Sequence, residues 1–132
     1  MKFDHIGIFV REIDLGIEEL NSFLNIVSES EVFHDNNLKV SVKFLYDESK
    51  ICYELVAPFG EGNPVENVLS SGKNILNHLA YKSSNFDEDL EKLRNKGALP
   101  ITIPQPALAF EGSRVVFLLS PLRFIIELIE DN

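Results

Sequence analysis

The strongest constraint on this chain is that it repeats itself. Sliding the sequence by 73 residues sets His5 on His78, Asp14 on Asp87, Glu18 on Glu91 and Leu20 on Leu93. Further along, Val42 meets Val115, Phe44 meets Phe117, Leu45 meets Leu118, Glu54 meets Glu127 and Leu55 meets Leu128. These nine identities fall within 55 ungapped pairs, where average residue usage would give roughly three by chance. The register says more than the count. His5 precedes Glu54 by 49 residues, and His78 precedes Glu127 by the same 49. Whatever one copy folds into, the other must fold into as well.

Each copy reads as βαβββ. Phe3–Val10 and Leu76–Ser83 are rich in β-branched and aromatic residues and read as strands. A helix follows in each. In the first copy Asp14 is the expected N-cap of Leu15–Leu24, with Ile17, Leu20 and Leu24 on one face. In the second, Asn85 is the expected cap, Leu90 and Leu93 line the face, and Gly97 ends the helix. Three strands are expected after each helix. They lie around Val27–Phe33, Leu38–Tyr46 and Ile51–Ala57, matched by Leu99–Ile103, Ser113–Leu119 and Phe124–Ile129. Pro100, Pro104 and Pro106 make the segment before Ala107 an edge or a loop, because proline lacks the donor a central strand needs. Asn63-Pro64-x-Glu66, closing at Gly72, reads as a short helix between the copies. The expected class is α+β, a single domain of two repeats, about 1–60 and 74–132, joined by that helix.

With 132 residues the chain has room for one ordinary domain, and 45% apolar against 25% charged residues is a globular balance. A single Cys excludes an intrachain disulfide and a thiolate zinc cluster. With no apolar run long enough to span a bilayer, the expectation is a cytoplasmic protein without a membrane partner. The net charge of −9 argues against nucleic acid, which requires a basic face. That charge is uneven: residues 1–66 hold 5 Lys and Arg against 13 Asp and Glu, and the remainder 7 against 8. An anionic substrate group would therefore be better received by the second half, where Arg114 and Arg123 lie.

Four polar residues stand inside apolar strands. Glu127 interrupts Phe-Ile-Ile-Glu-Leu-Ile, and Glu54 holds the matching place in Ile-Cys-Tyr-Glu-Leu-Val. An ionised carboxylate buried there costs several kcal/mol unless it is paired or bound to a cation. His5 and His78 sit in the first strand of each copy, with Gly7 and Ala80 two residues on and on the same face, which leaves space beside each imidazole. Two imidazoles and two carboxylates make a nitrogen–oxygen set for one divalent ion: zinc, nickel, cobalt, manganese or iron(II). A hydrogen-bonded core histidine is the competing account of each His. Cys52, on the Glu54 face of its strand, reads as a small core or pocket residue, and His34, beside Asp35-Asn36-Asn37, as an exposed turn residue.

These residues carry a family resemblance. The paired βαβββ modules, with His, Glu, His and Glu on their first and last strands, resemble the vicinal oxygen chelate superfamily of glyoxalases, bleomycin-resistance proteins and dioxygenases. The resemblance spans nearly the whole chain. Within that superfamily, Tyr53-Glu54-Leu55-Val56-Ala57-Pro58, then Asn63-Pro64-Val65, then Asn77-His78-Leu79-Ala80, are most similar to methylmalonyl-CoA epimerases. The resemblance implies a cupped mixed sheet and one divalent ion (zinc, cobalt, nickel or manganese) held by His5, Glu54, His78 and Glu127. It further implies a small-molecule substrate, with an acyl-CoA as the candidate, a homodimer, and Glu127 as the base that takes a proton alpha to a thioester. The second carboxylate that some epimerases carry on the third strand corresponds here to Ser41. The turn Leu119-Ser120-Pro121-Leu122-Arg123 is shorter than the epimerase loop and lacks its Lys and paired glycines. A glyoxalase-type lyase and a metal-free binding protein of the same fold are the alternatives, and the substrate-contacting residues stay unassigned.

Overall fold

A computed structural model describes residues 1–132. Its elements run β1 Lys2–Phe9, α1 Ile13–Asn21, β2 Ile26–Glu29, β3 Phe33–Asp35, β4 Val40–Asp47, β5 Cys52–Pro58 and α2 Pro64–Ser71. Then follow β6 Leu76–Ser83, α3 Phe86–Asn95, β7 Leu99–Pro100, β8 Gln105–Pro106, β9 Arg114–Leu119 and β10 Ile125–Glu130. The class is α+β, and each half is a mixed sheet with a helix on one face. No helix is long and apolar enough to cross a membrane. Two compact units are resolved: His5–Asn77, and His78–Asn132 together with Met1–Asp4.

In the first unit the strand order is β2-β4-β5-β1, with β3 also on β4. The outer pair β1 and β5 is parallel, and the rest are antiparallel. Alternation along the strands decides the faces. Leu45, Leu55 and Tyr53 turn towards α1, where they pack with Leu20, Ile13, Ile17 and Leu24. His5, Glu54 and Phe44 take the other face. The close seat of α1 depends on Gly16. A Cβ there would stand 2.9 Å from Leu55 Cδ1 and 3.0 Å from Val10 Cγ1. Gly16→Ala gains about 1 kcal/mol of helix propensity, but overpacking against a fully buried Leu55 costs about 1–3 kcal/mol. A melting temperature lowered by a few degrees is expected in a thermal scan, and an unchanged or raised one would show that Leu55 yields.

The second unit repeats the plan. β6 and β10 are parallel, β9 is antiparallel to β10, and β7 and β8 lie on β9. Phe86, Leu90 and Leu93 of α3 cover Val116, Leu118 and Leu128. Met1–Asp4 joins this unit through the Phe3 ring on Tyr81, 5.7 Å between centroids, and Asp4 Oδ1 lies 3.7 Å from Lys82 Nζ.

Three sequence expectations need correction. The single strand expected over Val27–Phe33 is two, β2 and β3, because that side carries one residue too many. Glu29 pairs with Leu45 and Phe33 with Val42, so three residues face two across the gap. The proline-rich counterpart is likewise two short edge strands, β7 and β8. Asp14 is not a cap. Helix α1 begins at Ile13 after an uncapped Glu12, which places Asp14 in the first turn, where its charge meets the positive end of the helix. The linking helix forms as expected. Asn63 Oδ1 accepts from the Glu66 amide at 3.1 Å, Pro64 opens the helix, and Gly72 closes it at φ +67°.

Candidate functional site

Each half brings one imidazole onto one carboxylate. In the first, His5 Nε2 lies 3.3 Å from Glu54 Oε1; in the second, His78 Nε2 lies 3.2 Å from Glu127 Oε1. The four residues are 0%, 5%, 4% and 3% exposed in chain order, so none of these donors is a surface group. The parallel strand pair does the positioning. Gly7 stands beside Glu54 across β1 and β5, and Ala80 stands beside Glu127 across β6 and β10. In each half the carboxylate reaches the imidazole that lies two residues upstream of its small cross-strand neighbour.

The opposite neighbours match as well. Glu54 faces Phe44 across β4 and β5, and Glu127 faces Phe117 across β9 and β10. Both rings also meet their histidines nearly edge to face, Phe44 on His5 at 5.6 Å and 68°, Phe117 on His78 at 5.4 Å and 78°. Both Phe residues are among the repeat identities, yet the sequence reading assigned them no role. The signal was that two large aromatics are kept in register with the His–Glu pairs.

A neutral imidazole turning its lone pair towards a carboxylate at such distances is repulsive unless a proton or a metal ion lies between them. Two donors each about 2.1 Å from one ion are about 3.0 Å apart at a right angle and about 3.4 Å apart at the tetrahedral angle. The observed 3.3 Å and 3.2 Å fall between those limits. Each pair thus has the spacing of neighbouring ligands on one cation. His5, Glu54, His78 and Glu127 together offer two nitrogens and two oxygens of a kind that can hold a metal ion, all from buried residues.

The other residues singled out in the sequence have different employment. Ser41 pairs with Ala57 and with His34, and it lies on the α1 side of the sheet, the face opposite Glu54 and Phe44. Its Oγ is 2.7 Å from His34 Nδ1. A base on β4 at this position would point away from His5 and Glu54. Ser41→Ala is therefore expected to leave metal content and turnover within about twofold of the parent, as measured by elemental analysis beside an activity assay. His34 is not in a turn but in β3, its ring stacked on Phe59 at 4.9 Å.

Arg114 is committed elsewhere too. Its Nε and Nη2 donate to Glu130 at 3.1 and 2.7 Å, its Nη1 and Nη2 donate to Asp87 at 3.2 and 3.1 Å, and the guanidinium lies over the Phe86 ring. Hydrogen bonds to the two carboxylates raise the Arg114 pKa further, and the same guanidinium holds the Glu130 carboxyl below its ordinary value. The cluster ties α3 to β9 and β10, so Arg114 is not waiting for a substrate anion. Cys52 is buried on the Glu54 side of β5. A cleft of about 430 Å³ in the second half is lined by Lys82, Phe110, Glu111, Ser113 and Ile129 among others, and neither His78 nor Glu127 reaches it.

Comparison with known proteins places this geometry in context. The family model described as glyoxalase/bleomycin resistance protein/dioxygenase superfamily matches residues 4–117. No curated protein sequence matches the chain significantly. Among solved structures, a hypothetical protein from Bacillus halodurans is similar at 24% identity with a TM-score of 0.77, covering 99% of this chain and 94% of that one. The methylmalonyl-CoA epimerase from Mycobacterium tuberculosis is similar at 24% identity, TM-score 0.72, covering 99% and 88%. The Streptomyces coelicolor methylmalonyl-CoA epimerase in complex with 2-nitronate-propionyl-CoA is similar at 22%, TM-score 0.70, covering 99% and 97%. At these identities the likeness to the solved structures is one of fold.

Proposed function

Since the chain belongs to the glyoxalase/bleomycin resistance protein/dioxygenase superfamily, we propose that His5, Glu54, His78 and Glu127 hold one divalent ion. On this reading the protein is a metal-dependent isomerase that epimerises the carbon alpha to a thioester. The observation that carries it is the repeated, buried His–Glu pair, each with the separation of two ligands on one cation. Fold likeness to methylmalonyl-CoA epimerases supports an acyl-CoA as the substrate. A homodimer in solution belongs to the same reading.

A divalent ion, when bound, supplies positive charge that steadies the negative charge developing on a substrate oxygen. The protein's own residues do the rest. Glu127 takes the alpha proton as a general base. A carboxylate has two oxygens, so Glu127 can give up one contact and accept a proton without leaving its place on β10. Inversion then needs a proton delivered from the opposite face of the planar carbon, which solvent supplies, and Glu127 afterwards releases to solvent the proton it took. Phe117 stands directly across the strand from Glu127. Glu54, on the other half, serves as ligand.

A glyoxalase-type lyase is the second reading, favoured by the placement of Ser41. With the β4 position turned to the helix face, no second carboxylate is supplied from there, and a proton shift that needs only one base suits such a site. The test is to incubate metal-loaded protein with methylmalonyl-CoA in deuterium oxide. Exchange of the alpha proton is expected. No exchange with a series of acyl-CoA esters, in protein that does hold metal, would favour the lyase. Protein that takes up no metal after supplementation would be a binding protein.

A further inference from the structure

We infer that Phe44 and Phe117 are positioning residues, each aiming the imidazole of its own half and walling the neighbouring carboxylate. The inference rests on the metal-binding reading above and adds residues to it. It begins with a torsion. The second side-chain torsion of histidine joins tetrahedral to planar carbon, and its energy profile is broad, so staggering alone does not fix the ring plane. A metal ligand needs that plane fixed, because the nitrogen lone pair lies in it. In each half an aromatic ring stands nearly perpendicular to the imidazole, at 68° in one and 78° in the other. Edge-to-face contact is one of the two favoured arrangements of such rings, and rotating the imidazole would lose it.

The same Phe is the direct cross-strand neighbour of the carboxylate. Opposed residues in an antiparallel pair have Cβ atoms about 4.5–5.5 Å apart, so one ring adjoins both donors of its pair. With Gly7 or Ala80 on the other flank, the carboxylate is bounded by a small residue on one side and a ring on the other. The two halves differ in one respect. Phe44 is buried and braced by Phe33, 6.3 Å away between centroids. Phe117 is only half-buried. The second ring can therefore be changed with less effect on the core, which makes it the better probe.

The experiment is cobalt(II) titration of the parent, Phe117→Leu, Phe117→Met and Phe117→Tyr, followed by visible absorption, with a melting curve of each apoprotein. The Leu and Met variants keep apolar bulk and remove the ring; the Tyr variant restores it. Loss of an outer group that orients a ligand lowers metal affinity on the order of tenfold or more. The Leu and Met variants are expected to bind cobalt about tenfold more weakly and to show an altered ligand-field spectrum. The Tyr variant should stay within about threefold of the parent, with the parent's spectrum. A ring that served only to fill the core would lower the melting temperatures and leave spectrum and affinity alone, and that result overturns the inference. Parent protein that binds no cobalt overturns the metal reading itself. Parent binding with unchanged Leu and Met variants sinks the positioning role alone.

Discussion

Replacing Glu127 with Gln is expected to lower turnover per bound metal on the order of 10²–10⁴, the usual contribution of a general base. The amide keeps an oxygen that can coordinate and keeps the shape that fits between Ala80 and Phe117, so much of the metal should remain. What it loses is the capacity to take a proton. Glu54→Gln makes the same chemical change in the other half. It is expected to weaken metal binding while leaving turnover per bound metal within about tenfold. The two variants isolate chemistry from ligation because the halves are so alike: each carboxylate has the imidazole of its own half at 3.2–3.3 Å and a Phe across the strand. Metal content and initial rate measured on the same samples decide the matter. A Glu127→Gln protein within about threefold of the parent, beside an inactive Glu54→Gln protein, would reverse the assignment.

The second large effect concerns the imidazoles. If the four residues hold an ion, His5→Ala and His78→Ala should each lower metal occupancy at least tenfold, since only water would be left to take the place of the lost imidazole. The competing account, a core histidine that merely satisfies a buried carboxylate, makes a different forecast. Removing the partner would then leave a buried charge alone at a cost of about 3–5 kcal/mol, visible as a lower melting temperature with metal content unchanged. Elemental analysis beside a melting curve separates the two. Zinc or cobalt added to the parent should raise its melting temperature, and the same addition should do little for either alanine variant.

Much of the site could be read because a duplication shows its own register. One His in an apolar strand says little, but His5 and His78, each followed 49 residues later by Glu in the same kind of run, mark the strands that must become neighbours. Gly7 and Ala80 were legible as space, though not as the places that stand beside the carboxylates. Other features had no local signature. The extra residue that splits β2 from β3 becomes visible only when pairing with β4 is known. The Ser41 position on the helix face follows from the register of β4, which alternation alone leaves open by one residue. Arg114 looked available for an anion because its partners, Asp87 and Glu130, come from elements 27 and 16 residues away.

The parallel pairing inside each half has a kinetic consequence. Ile6 lies beside Tyr53, and His78 beside Ile125, so in both halves a stretch of about 47 residues must loop back before imidazole and carboxylate can meet. An unfolded chain with such wide intervals offers no short chelating motif, in contrast to sequences whose ligands sit one helical turn apart. Metal ions then have little to grip until the loops have closed, and closing long loops is the slow part of folding. Refolding rates should accordingly be nearly independent of added zinc or cobalt, while unfolding should slow in proportion to the ion's hold on the finished protein. The ion would act as a latch on a door that has already swung shut.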